Sequence, residues 1–256
     1  MTPIVDLGET MYLKLVLEEV GELVLKFDNK ELYEKLHQYV PFESEVHVWK
    51  EEIYFKTPLD YTPKKYVSRL EKGSVAYWRP GRALCVFYGI SQPYSKVEKV
   101  GLVVGIPSYL RSVKEGSKVR VKEYEHHDAA LEEIKFLRDR GIEAVSRLDE
   151  EGNICICMSI GLEEYTLGLE VVKEEYGYYI ETDSVFKFTN SLEDIALVTR
   201  LKHKISSISE DVRVDLNEDN WLVISSTADM EREDLYNKIM FTVKAFKALM
   251  ETLRDY

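Results

Sequence analysis

The sequence of 256 residues contains few glutamines and no long apolar run. Gln occurs only at Gln38 and Gln92, whereas charged residues make up 31% of the chain, a balance typical of proteins from hot environments. No stretch approaches the roughly 18 to 20 uninterrupted apolar residues of a membrane-spanning helix, and the N-terminus lacks the basic-then-apolar order of a signal peptide. We therefore expect a soluble, cytoplasmic protein.

Cysteine is also scarce, and the three cysteines do not suit a disulfide framework in a chain of this size. Cys85, Cys155 and Cys157 all lie in apolar, strand-like runs, and the last two point to the same face of a strand. A metal site would need further ligands, and the adjacent pair His126-His127 seldom points at a single ion. The sequence predicts buried thiols, no metal and no cofactor.

Motifs that would identify an enzyme class are missing. The stretch "GLVVG" (101–105) lies in a predicted strand and lacks the lysine and hydroxyl of a phosphate-binding loop. No nucleophile elbow and no paired carboxylates at a telling spacing occur. The sequence therefore predicts architecture more directly than it predicts a reaction.

The formal net charge of −12 is unevenly distributed along the chain. Residues 1–123 contain 19 Lys/Arg against 17 Asp/Glu, and residues 124–256 contain 15 against 29. This break predicts two domains with a boundary near residue 123. The acidic second domain would repel phosphate backbones, so we expect no nucleic-acid partner.

Residues 1–123 are dominated by short strand-like stretches. Residues 11–27 alternate apolar and polar side chains on both sides of Gly21, the pattern of a β-hairpin. A short helix follows, with Asp28 predicted as its cap and Pro41 predicted to help end it. Further short strands, each bounded by Gly, Pro or Ser, complete the pattern. Many short strands and one early helix predict an all-β closed barrel.

Residues 124–256 mix helices and strands. Asp128, Ser191 and Asp229 are predicted to cap three helices. A hairpin precedes the last helix, and the third strand-like segment is long enough to break near Gly177. The predicted order is α-β-β-β-α-β-β-α, with the first three strands at about 142–148, 153–160 and 164–188. This order describes a compact α+β domain.

The last predicted helix carries one apolar seam. Its members recur at helical, near-heptad spacing: Leu235, Ile239, Val243, Phe246, Met250 and Leu253. Such a seam serves either the core of the domain or a dimer interface. The sequence leaves both alternatives open.

The stretch "GSVAYWRPGRALCVFYG" (73–89) combines aromatic residues, cations and a turn. Tyr77 and Trp78 offer large apolar faces with a polar handle, the residue types that line ligand pockets. Arg79 and Arg82 lie on either side of Pro80-Gly81 and offer planar donor groups. Alternation nevertheless puts Tyr77 and Trp78 on opposite faces of a strand, so one of them also suits the core. From the residues alone, the rim of a binding cleft and a plain corner of a sheet are equally supported.

Three stretches of the first half resemble a known family. They are "PFESEVHVWKEEIYFKTP" (41–58), "KGSVAYWRPGRALCVFYG" (72–89) and "VEKVGLVVGIPSYLRSVKEGSKVRV" (97–121). In order and spacing they resemble the small prokaryotic cyclophilin-like proteins, over about residues 10 to 123. The resemblance implies a cyclophilin-type β-barrel and favours the rim of a cleft at residues 77–82.

The resemblance does not carry a reaction with it. Cyclophilins proper isomerise prolyl bonds with a positioned arginine in a Phe-His-Arg stretch, whereas the corresponding "VHVWKEEIYF" (46–55) has His47 and Trp49 but no arginine. Our first hypothesis is therefore a binding protein that holds a peptide or small ligand in an aromatic cleft. The alternative is a peptidyl-prolyl cis-trans isomerase with non-standard residues, to which Arg79 or Arg82 would supply a cation. The candidate ligand-binding residues are His47, Trp49, Tyr54, Tyr77, Trp78, Arg79, Arg82 and Phe87.

The second half is similar, in element order only, to the secretion-chaperone-like YbjN proteins. The α+β domains of those proteins commonly pair and bind other polypeptides. The similarity implies a protein partner or a second copy of this chain as the binding partner of residues 124–256. We expect neither a nucleic acid nor a membrane as a partner.

Overall fold

The computed structural model describes residues 11–89, 91–163 and 165–254. Within these ranges, eight antiparallel strands close into a barrel in the order β1-β2-β7-β5-β6-β4-β3-β8, with β8 pairing back to β1. The strands are β1 (Tyr12–Leu17), β2 (Gly21–Phe27), β3 (Phe42–Trp49), β4 (Glu52–Lys56), β5 (Ser74–Trp78), β6 (Ala83–Phe87), β7 (Glu98–Val104) and β8 (Lys118–Glu123). The predicted closed barrel and its first hairpin are confirmed.

The short helix α1 (Lys30–His37) follows the hairpin, but its predicted cap is wrong. Asn29, not Asp28, accepts the backbone N–H of Leu32, at 3.0 Å. The backbone N–H groups of Asp28 and Asn29 both donate to the carbonyl of Val100 on β7, at 2.9 and 3.3 Å, which fixes the chain where it enters the helix. Asn29 is then the last extended residue before the helix, which is the position of a cap.

Alternation along the strands separates the inside of the barrel from its outer face. On β4, β5 and β6 the inward side chains are Ile53, Phe55, Val75, Tyr77, Leu84 and Val86, and all belong to the central core cluster. The outward side chains form a second, smaller cluster that includes Ala76, Cys85 and Phe87. The outer face of these three strands is therefore apolar and covered, which sets it apart from a solvated barrel surface.

The second half of the described chain forms a six-stranded antiparallel sheet in the order β13-β14-β12-β11-β10-β9. Its elements are α2 (Leu131–Arg138), β9 (Glu143–Leu148), β10 (Ile154–Gly161), β11 (Thr166–Glu174), β12 (Gly177–Thr182), α3 (Leu192–Ser206), β13 (Val212–Leu216), β14 (Leu222–Ala228) and α4 (Arg232–Arg254). All three helices contribute to the one core cluster that covers a face of the sheet. No helix in the described ranges is long and apolar enough to cross a membrane.

Two details of this half differ from the prediction. The segment 164–188 contains two strands, β11 and β12, so the order has one strand more than α-β-β-β-α-β-β-α. The predicted break near Gly177 is present, since the chain reverses at residues 175–176. Asp128 begins a short 3₁₀ turn instead of capping an α-helix, and α2 starts at Leu131. The cap at Ser191 is confirmed, since its side chain accepts the backbone N–H of Asp194.

The apolar seam of α4 packs on the chain's own sheet. Leu235 and Ile239 are fully buried, and Val243 and Phe246 are nearly so. Met250 and Leu253 are partly buried against the same core. The core alternative therefore accounts for the seam.

One face of the second sheet packs against the barrel. We call this contact the seam contact; its apolar part consists of Tyr12, Val24 and Val104 from the barrel with Val145, Cys155 and Cys157 from β9 and β10. The two backbones meet closely at Gly168 of β11, because a Cβ there would overlap the carbonyl of Gly105. Glycine at position 168 is thus required by the approach of the two sheets.

The seam contact also contains a buried ion pair. Arg147 Nε donates to Glu170 Oε2 at 2.7 Å, and its Nη2 donates to Oε1 at 3.0 Å. The Nη1 of the same guanidinium donates to the carbonyl of Val20, in the β1–β2 turn of the barrel, at 2.9 Å. One side chain therefore joins a carboxylate of the second sheet to the barrel backbone.

Candidate ligand-binding cleft

A depression on the outer face of the barrel lies where two small side chains are flanked by large ones. Tyr54 of β4 is paired in register with Cys85 of β6, and Cys85 with Ala76 of β5. Ala76 and Cys85 are both buried and small, whereas the neighbouring Tyr54 and Trp78 are large. The outer face is thereby hollow at its centre and raised at its rim.

Residues 91–97 fold over this face and complete a cleft of about 260 Å³. Two isolated bridges, Val67 with Val97 and Leu70 with Ser91, hold this segment beside the barrel. The cleft is lined by Trp49, Glu52, Tyr54, Trp78, Cys85, Pro93, Tyr94, Ser95 and Val97. The lining is mostly aromatic and apolar, with a single carboxyl group.

Trp78 is fixed on three sides. Its Nε1–H donates to Ser95 Oγ at 2.7 Å, which ties the indole to the covering segment. Its ring meets that of Tyr54 edge to face, with 5.9 Å between centroids. The remaining side lies on Gly81, where a Cβ would overlap the six-membered part of the indole. The turn Arg79–Arg82 therefore positions Trp78 through a glycine that leaves room for the ring.

Gly81→Ala is expected to displace the Trp78 indole. Inserting a methyl group against a packed ring costs about 1–3 kcal/mol, so the free energy of unfolding measured in urea should fall by that amount. Trp78 should also lose its hydrogen bond to Ser95, visible as a shift of its indole N–H resonance. Gly161→Ala is the control, because a Cβ at Gly161 meets nothing within 4 Å. Equal effects of the two changes would show that Gly81 does not position the ring.

Glu52 is the one carboxyl group among the described residues that line the cleft. The residue is only 5% exposed, and its Oε2 has no hydrogen-bond partner within the described chain. Burial raises the pKa of Glu52 to about 7, and the positive charge of Lys50 offsets part of this rise. Glu52 thus adds to an aromatic-walled cleft a largely buried carboxyl group, one oxygen of which has no partner among the described residues.

Three of the residues predicted from the sequence come together here. Trp49, Tyr54 and Trp78 all line the cleft. His47 lies at its edge: its ring is 5.1 Å from that of Tyr54, and its Nδ1 is 2.7 Å from Glu115 Oε1. The imidazole is therefore engaged with Glu115 and is outside the lining.

The other four predicted residues lie elsewhere. Tyr77 points into the barrel, where its hydroxyl donates to the carbonyl of Leu59 at 2.7 Å. Phe87 is fully buried in the apolar cluster of the outer face and does not line the cleft. Arg79 is exposed, and Arg82 is paired with Asp60 at 3.2 Å. Neither guanidinium belongs to the cleft lining.

Sequence reasoning did not place Cys85 or the covering segment 91–97 at the site, and it considered Glu52 only as one of four glutamates for a carboxylate pair. A signal for Glu52 was present, since it shares a strand face with Tyr54 while Ile53 and Phe55 occupy the other face. A glutamate on the same strand face as Tyr54 indicates a binding site only once that outer face is known to be covered. The covering segment has no periodic pattern, and its place is set by its bridges to Val67 and Leu70 and by the hydrogen bond from Trp78 to Ser95.

The histidine pair at the junction is engaged in local contacts. His126 Nδ1 is 2.8 Å from the hydroxyl of Tyr124, and His127 Nε2 is 2.9 Å from Glu22 Oε2. Burial lowers the pKa of His126 to about 4, so its imidazole is neutral at physiological pH. Over residues 11–89, 91–163 and 165–254, no cluster of three or more His, Cys, Asp or Glu could hold a metal ion.

Comparison with known proteins finds a family match in the first half of the chain. Residues 11–122 match the family model described as cyclophilin-like. The chain is also similar to the solution structure of a hypothetical protein from Archaeoglobus fulgidus, with 28% identity over 47% of this chain and 100% of that one, at a TM-score of 0.39. No curated protein matches the chain.

The cyclophilin-like region contains every residue of the cleft lining, from Trp49 to Val97. The family resemblance inferred from the three sequence stretches is thus confirmed for the barrel. The match ends at residue 122, and the similarity of the second half to secretion-chaperone-like proteins stays a prediction.

Proposed function

We propose that the cyclophilin-like barrel is a binding module that takes a small ligand, or one side chain of a peptide, into the cleft beside Trp78. The observation that carries this proposal is the unpartnered Oε2 of Glu52 at a 5% exposed position. Buried polar atoms in native proteins nearly always have hydrogen-bond partners, and one left without a partner is costly. A ligand with a donor group would supply the missing partner.

The size and composition of the cleft support a fragment-sized ligand. Its volume of about 260 Å³ is just below the usual range for drug-sized molecules. Trp49, Tyr54 and Trp78 supply flat apolar walls, and Glu52 supplies a single polar anchor. Such a site has room for one ring or one short chain with one polar end.

The lining also favours binding over prolyl isomerisation. Of the two arginines considered for catalysis, Arg82 is paired with Asp60 and Arg79 is exposed at the turn. The described residues that line the cleft include no arginine, lysine or histidine. A prolyl isomerase of the kind the resemblance suggests would need a cation over the prolyl carbonyl.

The experiment is a fragment screen on the full ¹⁵N-labelled chain, read at the three tryptophan indole N–H resonances. Binding fragments are expected to shift the signals of Trp49 and Trp78 and to leave that of Trp221, which stacks on Arg111, unchanged. Trp49→Ala should weaken binding by about tenfold or more, the usual effect of removing an aromatic anchor. Tyr176→Ala removes an exposed aromatic side chain of the second sheet and should have no effect.

A prolyl-isomerisation assay on the same protein separates the alternatives. We expect no turnover of proline-containing peptides by the full chain. Turnover that disappears in Trp78→Ala would replace the binding proposal with the isomerase alternative. A screen in which no fragment shifts Trp49 or Trp78 would also contradict the binding proposal.

For the second half we propose contact with a protein partner or with a second copy of the chain. Its excess of acidic residues and several exposed apolar side chains support this role; they are Leu192, Ile195, Met240 and Phe241. The apolar seam of α4 is not available for contact with a partner, because Val243 and Phe246 pack on the sheet. The contact would therefore use the outer faces of α3 and α4.

A further inference from the structure

We propose that the ligand of the cleft is a protonated alkylamine, whose ammonium group pairs with Glu52 while its ring or carbon chain lies between the aromatic walls. This inference rests on the proposed binding function and names the chemical class of the ligand. The source of the amine is either a free small molecule or the ammonium group of a peptide. Both present the same chemistry to the cleft.

The hydrogen-bonding capacity of Glu52 selects a donor with a positive charge. An ionised carboxylate only accepts hydrogen bonds, and an ammonium group has three donors and no acceptor. A hydroxyl or amide would also donate to Oε2, but it would leave the buried charge without a counter-ion. The described lining residues include no cation, so a positively charged ligand would supply the counter-charge to ionised Glu52.

The aromatic walls favour the same class. A cation within about 6 Å of a ring centroid is attracted by the negative face of the ring, most strongly with tryptophan. One ammonium group of the chain itself already occupies such a position: Lys50 Nζ lies 5.8 Å from the centroid of the Trp49 ring. Lys50 is exposed at the β3–β4 turn, outside the cleft lining. Among the cation–ring contacts of the described residues, none involves Trp78 or Tyr54, whose rings meet edge to face.

The polar groups beside Glu52 do not compete for its unpartnered oxygen. Tyr54 follows on the same strand face, and Cys85 faces it from β6 with a thiol whose pKa burial raises. Tyr88, beyond the end of β6, donates its hydroxyl to the carbonyl of Lys50 at 2.7 Å. Lys50 is the only charged group that acts on the pKa of Glu52, and it forms no hydrogen bond to the carboxyl within the described chain.

The test compares benzylamine with benzyl alcohol on the full chain. The two probes share a ring and a methylene group and differ in the ammonium or hydroxyl group. At about pH 8, where Glu52 is mostly ionised, benzylamine should bind at least about tenfold more tightly than benzyl alcohol. At about pH 6 the affinity for benzylamine should fall by about tenfold, because Glu52 must then lose a proton before it pairs.

Two variants assign the preference to Glu52. Glu52→Gln should abolish the advantage of benzylamine while both probes still shift the indole N–H signals of Trp49 and Trp78. Glu51→Gln changes the neighbouring exposed acid, which does not line the cleft, and should keep the advantage.

The outcomes separate this inference from the proposed function. Equal or tighter binding of benzyl alcohol, or an advantage of benzylamine that survives in Glu52→Gln, would overturn the amine inference and leave the binding module intact. Failure of both probes to shift Trp49 and Trp78, at concentrations that saturate fragments from the screen, would overturn the amine inference as well. Failure of every fragment would overturn the binding function itself.

Discussion

Glu52→Gln is expected to stabilise the protein by about 3 kcal/mol at neutral and alkaline pH and by little at about pH 4. The pKa of Glu52 is raised to about 7 from an ordinary value of 4.5. The folded state therefore holds the proton more tightly than the unfolded state, and stability falls as the pH rises from about 4.5 to about 7. Glutamine never ionises, so the variant avoids this loss.

The measurement is urea denaturation of both proteins at several pH values. The charged and titratable groups around the carboxyl are Lys50, Tyr54, Cys85 and Tyr88, and the tyrosines and the thiol are neutral over this pH range. Glu51→Gln is the control and should leave the pH dependence unchanged. A stability difference between Glu52→Gln and the parent that is the same at pH 4 and pH 8 would contradict the raised pKa.

Glu170→Gln is expected to destabilise the protein by about 3–5 kcal/mol. The side chains of Arg147 and Glu170 are 4% and 7% exposed, and they form two hydrogen bonds to each other. Glutamine keeps the shape of the side chain but leaves the guanidinium buried without a counter-charge. Removing one charged partner of a buried ion pair lowers the free energy of unfolding much more than replacing both partners with apolar side chains.

The double variant Arg147→Met with Glu170→Leu supplies the complementary result. Apolar side chains of similar volume replace both charges, so part of the lost stability should return. The rest stays lost because the carbonyl of Val20 and the hydroxyl of Tyr109 lose their partners. The control is the exposed pair Arg120–Glu43, where Glu43→Gln should change the free energy of unfolding by less than about 1 kcal/mol. A small effect of Glu170→Gln, similar to that of the control, would show that the buried pair does not hold the seam contact.

The strand pattern in residues 74–87 correctly predicted which faces of the strand its aromatic side chains occupy. Alternation predicted that Tyr77 and Trp78 lie on opposite faces, and Tyr77 is in the barrel core whereas Trp78 lines the cleft. Arg79 and Arg82 do not line the cleft. They occupy the turn between β5 and β6, where alternation no longer decides which face a side chain occupies.

The remaining features depend on contacts between distant parts of the chain. The chain enters α1 with the backbone N–H groups of Asp28 and Asn29 both bound to the carbonyl of Val100, some 70 residues away, and Asn29 is the cap. Glu52 acquires its raised pKa from burial, which requires the covering segment. No local pattern of residue types contains either contact, so single-sequence reasoning could not derive them.

The seam contact bears on whether the barrel is a detachable module. A cut after residue 123 would leave Tyr12, Val24 and Val104 on an open surface, and three neighbouring apolar side chains on a barrel wall invite self-association. The same cut would leave the carbonyl of Val20 without the guanidinium that now covers it. The family match ends at residue 122, whereas the apolar contacts of the barrel continue into β9 and β10. A fragment cut at the end of the match is therefore expected to self-associate.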